Sequence, residues 1–189
     1  VNYWINGYGV TVSAVSGIGY KLDVIGNLVG SAVTTAGSSM VGQNIGAGKY
    51  DRASRVLGSA LLINGVFYSL MIAVFLLFPR FVFGCFTSDQ SVLLVCMEYL
   101  PFLVVIYIAS ALRNSMHAFT FGCGNSKFNF CAAVLDAFVV RIGLSLLLGL
   151  AAGMGYRGFW AGSAAAGFVP FVLGGVYYLS GVWKKQSRF

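Results

Sequence analysis

Charged residues are scarce in this sequence: Asp, Glu, Lys and Arg together make up 9% of its 189 residues. Soluble domains carry about 25% charged residues, and a chain so poor in charge has too little polar surface to face water. Hydrophobic residues make up 58% of the chain and stand in long continuous runs. The composition therefore excludes an ordinary soluble domain. The runs argue against a membrane β-barrel, whose strands alternate over about 10 residues.

Residues that commonly build catalytic or metal centres are also few. The chain has one histidine, His117, and five acidic residues that are scattered along it. Its four cysteines show no C-x-x-C spacing, and a buried cysteine usually acts as a small hydrophobe. A membrane-embedded enzyme would need a cluster of acids, histidine or metal ligands. The sequence therefore predicts a protein that is not an enzyme and that holds no metal or cofactor.

Long charge-free blocks divide the chain into candidate membrane spans. No charged residue occurs within 24–48, 56–79 or 158–183, and a helix needs roughly 20 apolar residues to cross the hydrocarbon core. We therefore predict an all-α fold, a polytopic transmembrane helix bundle. Five full spans are expected near residues 22–46, 54–78, 91–117, 128–152 and 157–182.

The start of the chain predicts a further, incomplete helix. It reads VNYWINGYGV, without an initiator methionine and without the charged segment and cleavage site of a signal peptide. Residues 1–20 carry no charge. We therefore expect Val1 to lie inside a truncated first helix, and the sequence to be a fragment of a longer protein.

The net charge of +7 is explained by an unequal distribution of basic residues across the membrane and does not require a nucleic-acid partner. Three predicted connections on one side of the membrane carry eight Lys and Arg residues, whereas the opposite side carries three. By the positive-inside rule the eight lie in the cytoplasm, and so does the C-terminus. We therefore predict no nucleic-acid binding. The eight residues are Lys49, Arg52, Arg55, Arg113, Lys127, Lys184, Lys185 and Arg188.

Two charged residues, Asp136 and Arg141, fall inside the fourth predicted span. Charges in hydrocarbon are costly and usually face a bundle interior or a water-filled cavity, so both are candidates for a substrate or ion pathway. They are five residues apart, which places them about 140° apart around an α-helix. A direct pair within one helix is therefore not expected, and each is expected to find a partner on another helix. The alternative is a buried polar network that only fixes helix packing.

Three more polar residues lie near the predicted outer ends of their spans. Glu98 and Asp23 are both expected to be solvated at the membrane interface. Glu98 is nevertheless kept as a pathway candidate, and Asn27 joins it because its amide can line a cavity.

Pairs of glycines spaced G-x-x-x-G recur within the spans, at Gly26/Gly30, Gly149/Gly153 and Gly158/Gly162. Such pairs let helix backbones approach closely in lipid. They predict close packing and nothing more specific.

The segment GQNIGAGK at 42–49 does not fit a phosphate-binding loop. That loop needs four residues between its glycines and then Gly-Lys-Ser/Thr. Here Gly42 and Gly48 are separated by five residues, and Tyr50 follows Lys49. The segment instead predicts a helix end with glycine at the C-cap, followed by a basic turn.

Two segments carry a family resemblance. Residues 42–53 read GQNIGAGKYDRA and follow a stretch of small residues that begins at Gly9, and residues 141–162 read RIGLSLLLGLAAGMGYRGFWAG. Together they resemble the second-half repeat and the last two helices of multidrug and toxic compound extrusion (MATE) transporters. The resemblance covers nearly the whole chain. Its most specific motif residues are Gln43, Asn44, Gly46 and Lys49.

The resemblance implies a transporter with twelve helices in two six-helix lobes. Residues 1–189 would then form the C-terminal transmembrane lobe, from the end of helix seven to helix twelve. Such transporters are secondary active antiporters that export organic cations or other toxic solutes in exchange for protons or sodium. The implied partners are the lipid bilayer, a missing N-terminal lobe of the same protein and a small-molecule substrate. The implied location is a bacterial plasma membrane.

One family feature is missing from this sequence. Some members carry an acidic residue in helix ten, at a position that falls near Ser110 here. The resemblance therefore moves any coupling acid to the missing N-terminal lobe. An alternative function is a lipid-linked oligosaccharide flippase of related architecture. Basic cavity residues would favour that alternative, and only Arg141 and Arg113 qualify.

Overall fold

The computed structural model describes residues 2–184, without the side chain of Asn2, and this part of the chain contains helices and no β-strand. The predicted all-α fold is therefore confirmed. The helices are α1 (Asn2–Asn6), α2 (Val10–Gly46), α3 (Tyr50–Leu77), α4 (Pro79–Gly84), α5 (Gln90–Gly122), α6 (Ser126–Ala151), α7 (Tyr156–Ala166) and α8 (Val169–Ser180), followed by a 3₁₀ turn (Val182–Lys184).

Five helical segments are long and apolar enough to cross a membrane: α2, α3, α5, α6 and the pair α7–α8. Large apolar side chains project from their outer faces, as with Leu62, which is 69% exposed, and Leu179, which is 82% exposed. Contiguous apolar surface of this kind marks contact with a membrane or another protein. The structure thus agrees with a multi-pass membrane bundle.

The first span begins earlier than the sequence predicted. Helix α2 starts at Val10 and runs for 37 residues, about 55 Å. Lys21 and Asp23, which interrupt the charge-free blocks, both lie inside α2. A separate first helix does precede the first span, but this helix, α1, ends at Asn6, and residues 10–20 belong to the first span. Val1 lies outside the described residues.

Helix α5 is also longer than predicted and is continuous through Pro101. Because α5 ends at Gly122, Arg113 lies nine residues inside it and not in the connection to α6. The placement of Arg113 in that connection is therefore wrong. Lys185 and Arg188, which are counted with the cytoplasmic charges, lie outside the described residues.

Two apolar layers enclose a polar layer. One apolar cluster at one end of the bundle contains Val15, Phe75 and Phe159, and a second at the opposite end contains Val41 and Phe119. The segments of α3 and α5 between the two clusters carry four buried polar side chains, Asn64, Ser110, Asn114 and Ser115. Buried polar groups cost free energy unless they are hydrogen-bonded, and among the described residues the one buried side-chain N or O atom without a partner is Asn64 Oδ1.

Glycines bring α7 into backbone contact with α6, as the G-x-x-x-G pattern predicted. A Cβ atom at Gly162 would lie 2.5 Å from the Cα atom of Ser145, and one at Gly158 would lie 2.6 Å from the main-chain nitrogen of Gly149. Such distances leave no room for any side chain. The two helices therefore depend on Gly158 and Gly162 for their packing.

The helix order predicts which loops share a side of the membrane. Ala47 lies in the α2–α3 turn, Ser88 lies in the α4–α5 connection, and both are exposed. Helix α3 separates them by one crossing. In a cysteine-free background, a membrane-impermeant maleimide added to intact cells should label Ser88→Cys, and should label Ala47→Cys only after the cells are lysed. The opposite pattern would reverse the predicted cytoplasmic position of the basic loops.

Candidate functional site

Asn27 lies at the centre of a hydrogen-bonded cluster formed by α2, α3 and α5. Its Oδ1 atom accepts hydrogen bonds from Arg113 Nη2 and Asn114 Nδ2, both at 3.1 Å, and from the Tyr68 hydroxyl at 3.4 Å. Its Nδ2 atom donates to Asp23 Oδ1 at 2.8 Å and to the Asp23 carbonyl at 2.9 Å. Asn27 therefore joins a carboxylate on one side to a guanidinium on the other.

Glycines on α2 make room for this cluster. A Cβ atom at Gly30 would collide with the amide nitrogen of Asn114 and would lie 2.8 Å from the Tyr68 hydroxyl oxygen. The Tyr68 hydroxyl accepts a hydrogen bond from Asn114 Nδ2 at 2.9 Å and donates to the Gly26 carbonyl at 3.2 Å. The Gly26/Gly30 pair thus lets side chains from α3 and α5 reach the backbone of α2.

Asp23 lies well inside its span, thirteen residues after α2 begins at Val10. The expectation that it sits at the outer end of the span was wrong because the helix start was misplaced. Its carboxylate is half-buried, and no Lys, Arg or His nitrogen lies within 4.0 Å of it among residues 2–184. Its hydrogen-bond partner is the amide of Asn27.

A cavity of about 200 Å³ opens beside Asp23. Arg113 from α5 and Arg141 from α6 also line it, so one carboxylate and two guanidinium groups from three helices face one space. Arg113 donates to Ser110 Oγ at 3.2 Å, and it has no carboxylate within 4.0 Å in the described part of the chain. The other lining residues are Ile5, Ser16, Gly19, Tyr20, Tyr99, Ile106, Ala109, Ser110, Trp160, Ser163, Ala164 and Gly167.

Asp136 and Arg141 form a salt bridge within α6, with Arg141 Nη2 3.2 Å from Asp136 Oδ2. This corrects the expectation that residues five apart cannot pair on one helix. The segment Leu135–Val140 is a π-helix, and the main-chain N–H of Arg141 donates to the Asp136 carbonyl. An i→i+5 hydrogen bond of this kind brings residues five apart onto the same face. The predicted partner on another helix is therefore not needed.

Asp136 faces a second cavity, of about 220 Å³, that His117 and Asn129 also line. The His117 ring stacks on Phe121 with the ring centroids 4.7 Å apart. Since Arg141 lines the first cavity and pairs with Asp136, the salt bridge joins the two cavities. No group of three or more His, Cys, Asp or Glu side chains that could hold a metal ion occurs among residues 2–184.

Comparison with known protein families decides the family of this chain. The profile of the family described as MatE matches residues 1–147, which is more than half of the sequence. The chain belongs to the MatE family. The resemblance stated from the sequence is thereby confirmed.

Individual MatE relatives agree with this result. Multidrug and toxin extrusion protein 1 of Oryctolagus cuniculus is 25% identical over 170 residues, which cover 87% of this chain and 30% of that protein. The human protein of the same name is 26% identical over 183 residues, 95% of this chain and 32% of that protein. Protein DETOXIFICATION 14 of Arabidopsis thaliana is 29% identical over 154 residues, 81% of this chain and 32% of that protein. The chain thus spans about a third of the length of these relatives.

A solved MatE structure has the same fold. The crystal structure of the eukaryotic MATE transporter AtDTX14 superimposes with a TM-score of 0.83 at 25% sequence identity. The match covers 93% of this chain and 39% of that one.

The MatE motif residues at 43–49 build the turn between α2 and α3. Helix α2 ends at Gly46, and Gly48 adopts a positive φ of 71°, which favours glycine. The Asn44 carbonyl accepts from the main-chain N–H of Lys49 at 2.8 Å, and the Gln43 carbonyl accepts at 3.1 Å from the N–H of the residue after the helix. The predicted helix end is confirmed, although its C-cap residue is Ala47 and the glycine follows as Gly48. None of these residues lines the cavity beside Asp23.

Glu98 lies apart from the other candidates of this MatE chain. Its Oε2 atom accepts from Arg157 Nη2 at 2.8 Å and from the Tyr156 hydroxyl at 2.9 Å, and both contacts are exposed. This ion pair joins α5 to α7 near the start of α5. The structure therefore brings Arg141 to the cavity beside Asp23 and pairs Asp136 with Arg141. Asn27 contacts this cavity only through its hydrogen bonds to Asp23 and Arg113, and Glu98 lies outside it.

Sequence reasoning missed several residues of the polar site. Arg113 was counted with the cytoplasmic charges and considered as a cavity residue only for the flippase alternative, and Asn114 and Tyr68 were not considered. A signal for two of them was present, because Ser110, Arg113 and Asn114 have the i, i+3, i+4 spacing that places residues on one helix face. Asp23 gave no such signal, because its site depends on residues from other helices.

Proposed function

We propose that this chain is the C-terminal lobe of a secondary active antiporter that exports organic cations or other toxic solutes in exchange for protons. The observation that carries the proposal is the cavity in which Asp23, Arg113 and Arg141 meet inside the membrane-spanning bundle. Ionisable side chains at such positions usually mark ion or substrate pathways. The names of the multidrug and toxin extrusion relatives support export as the direction and toxic solutes as the cargo.

Asp23 is proposed as the coupling acid of this lobe. Two guanidinium groups in the same cavity repel a sodium ion, and the described residues provide one carboxylate there. A proton binds covalently to a carboxylate oxygen and needs no cage of oxygen ligands. We therefore favour proton over sodium coupling, and we place the coupling acid on α2 rather than only in another lobe.

Arg141 is proposed to change partners during this cycle. It pairs with Asp136 while it lines the cavity that contains Asp23. When Asp23 is ionised, it attracts Arg141 away from Asp136, and protonation of Asp23 releases Arg141 back to its salt bridge. Such a two-state arrangement gives the proton a way to bias the position of α6 relative to α2.

The substrate is proposed to pass between this lobe and a second, N-terminal lobe of the same protein. A cavity of about 200 Å³ is smaller than the 300–1,000 Å³ of typical sites for drug-sized ligands. Alternating access in many transporters moves one repeat against the other around a central site. A bacterial plasma membrane with a cytoplasmic C-terminus is the proposed location. The flippase alternative is not favoured, because the family match is to MatE, although Arg113 and Arg141 both line the cavity.

Transport assays with the intact protein test these roles. In proteoliposomes with an imposed pH gradient, Asp23→Asn should reduce proton-driven efflux of a fluorescent organic cation to the level of protein-free vesicles. Asp136→Asn should keep partial efflux and shift its pH dependence towards lower pH, because the freed Arg141 then stabilises ionised Asp23. Efflux is measured as the initial rate of fluorescence change across a series of pH values.

Asp89→Asn provides the matched control. Asp89 caps α5 outside both cavities. Its Oδ1 atom accepts 2.8 Å hydrogen bonds from the Ser91 hydroxyl and from the main-chain N–H of Ser91, and these hydrogen bonds lower the pKa of the Asp89 carboxyl. Asparagine caps helices about as well as aspartate, so transport should not change. Unaltered efflux in Asp23→Asn would overturn the coupling role. An unaltered pH profile in Asp136→Asn would assign Asp136 to packing alone.

A further inference from the structure

An apolar groove of about 600 Å³ runs between α2 and α3 on the surface of the bundle. Buried Gly37 and Ala60 form its floor, and exposed Ala36, Met40 and Ile63 form its sides. Along α3 it extends from residue 52 to residue 63, about 16 Å at 1.5 Å per residue. That length matches one leaflet, half of a hydrocarbon core of about 30 Å.

A basic cleft of about 510 Å³ adjoins the groove at the α2–α3 turn. Lys49, Arg52, Arg55 and Lys184 line it, together with one carboxylate, that of Asp51. None of the four cations lies within 4.0 Å of a carboxylate among residues 2–184. The cleft therefore has an excess of exposed positive charge that the described residues do not neutralise.

Arg52 and Arg55 belong to both spaces, since each lines the groove and the cleft. The combined surface is thus a charged mouth at the end of an apolar groove one leaflet long. Arginine presents a planar set of donors that matches phosphate oxygens. The adjacent N-terminus of α3 adds the positive end of a helix dipole.

We propose that Arg52 and Arg55 bind the phosphate of an anionic glycerophospholipid, and that one acyl chain of this lipid lies in the groove between α2 and α3. The positive-inside rule predicts that this end of the bundle faces the cytoplasm, where membranes carry their anionic lipids. The site is separate from the Asp23 cavity, and the proposal does not depend on proton antiport.

Charge complementarity selects this occupant over others. The headgroup of a zwitterionic lipid carries a positive charge, which the four basic residues of the cleft would repel. A segment from elsewhere in the full-length protein would have to supply carboxylates at the mouth and a narrow apolar edge along the groove. A soluble phosphate would use the arginines but would leave the groove empty.

Native mass spectrometry of the intact, full-length protein tests the proposal. The protein should retain phosphatidylglycerol in preference to phosphatidylcholine with the same acyl chains. Arg52→Gln/Arg55→Gln should weaken phosphatidylglycerol binding about 25-fold, the product of about fivefold for each basic residue near an anionic headgroup. The matched control is Lys21→Gln/Arg80→Gln, which removes the same charge from exposed residues outside the groove and the cleft.

A second variant tests the groove while keeping every charge. Ala36→Trp fills the groove and should weaken lipid binding by a similar factor, whereas soluble glycerol phosphate should not displace the lipid at equal concentration. Equal retention of the two lipids by the wild-type protein would overturn the proposal, and so would equal losses in the two double variants. Undiminished binding in Ala36→Trp would also overturn it, as would displacement by glycerol phosphate, which would assign the mouth to a free anion.

Discussion

Replacing Asn27 with leucine should cost the protein about 2–4 kcal/mol of stability, because a buried donor or acceptor left without a partner costs about 1–3 kcal/mol. The substitution removes the amide that donates to Asp23 and the oxygen that accepts from Arg113. Arg113 retains Ser110 as a partner, whereas Asp23 loses the amide that donates to its carboxylate at 2.8 Å. The measurement is thermal unfolding of the detergent-purified protein, together with the fraction that elutes as a single species.

A second asparagine on α2 offers the matched control. Asn44 donates to the Met40 carbonyl of its own helix at 2.7 Å, near the helix end. Asn44→Leu should therefore change stability far less than Asn27→Leu. Equal losses in the two variants would show that Asn27 does not organise the polar layer.

Replacing Gly158 and Gly162 together with alanine should remove most of the folded protein. Each new methyl group would overlap backbone atoms of α6, at Gly149 and Ser145, and a backbone cannot move aside as a side chain can. Overpacking typically costs about 1–3 kcal/mol for each site, and a folded domain has about 5–15 kcal/mol in total. The expected result is aggregated protein in size-exclusion chromatography after detergent extraction.

Gly175→Ala is the matched control for this pair, since it makes the same chemical change in the same membrane span. No atom lies within 4 Å of a Cβ atom built at Gly175, and alanine is favoured over glycine within a helix by about 1 kcal/mol. Gly175→Ala should therefore be neutral or slightly stabilising. A stable Gly158→Ala/Gly162→Ala protein would mean that α6 and α7 do not need close contact.

The sequence predicted the number of spans and most of their ends, because long apolar runs follow directly from the thickness of the bilayer. The predicted spans 54–78 and 128–152 differ by a few residues from α3 and α6. The first span was misjudged because charged residues were taken to mark helix ends. Lys21 and Asp23 lie within α2, so this assumption fails where a charge faces a cavity or extends towards the interface.

The candidate site was predicted less well than the fold. Polar groups inside a span need partners, and the sequence candidates chosen for this reason were Asp136, Arg141 and Asn27. In the structure each of these three residues has a hydrogen-bond or ion-pair partner. The identity of the partners was not predictable, since it depends on contacts between helices. The π-helical turn was not predictable either, because hydrophobicity does not distinguish i→i+4 from i→i+5 hydrogen bonding.

The π-helical turn at Leu135–Val140 sets the rotation of everything that follows it in α6. A π-turn contains one residue more than an α-turn, so converting it to α-helix would turn the rest of α6 by about 100° around its axis. Ser145 and Gly149 would then leave the face that accepts Gly158 and Gly162. This backbone hydrogen-bond pattern therefore fixes both the Asp136–Arg141 pair and the docking of the last span, and conversion of the turn to α-helix with all its residues retained would break both at once.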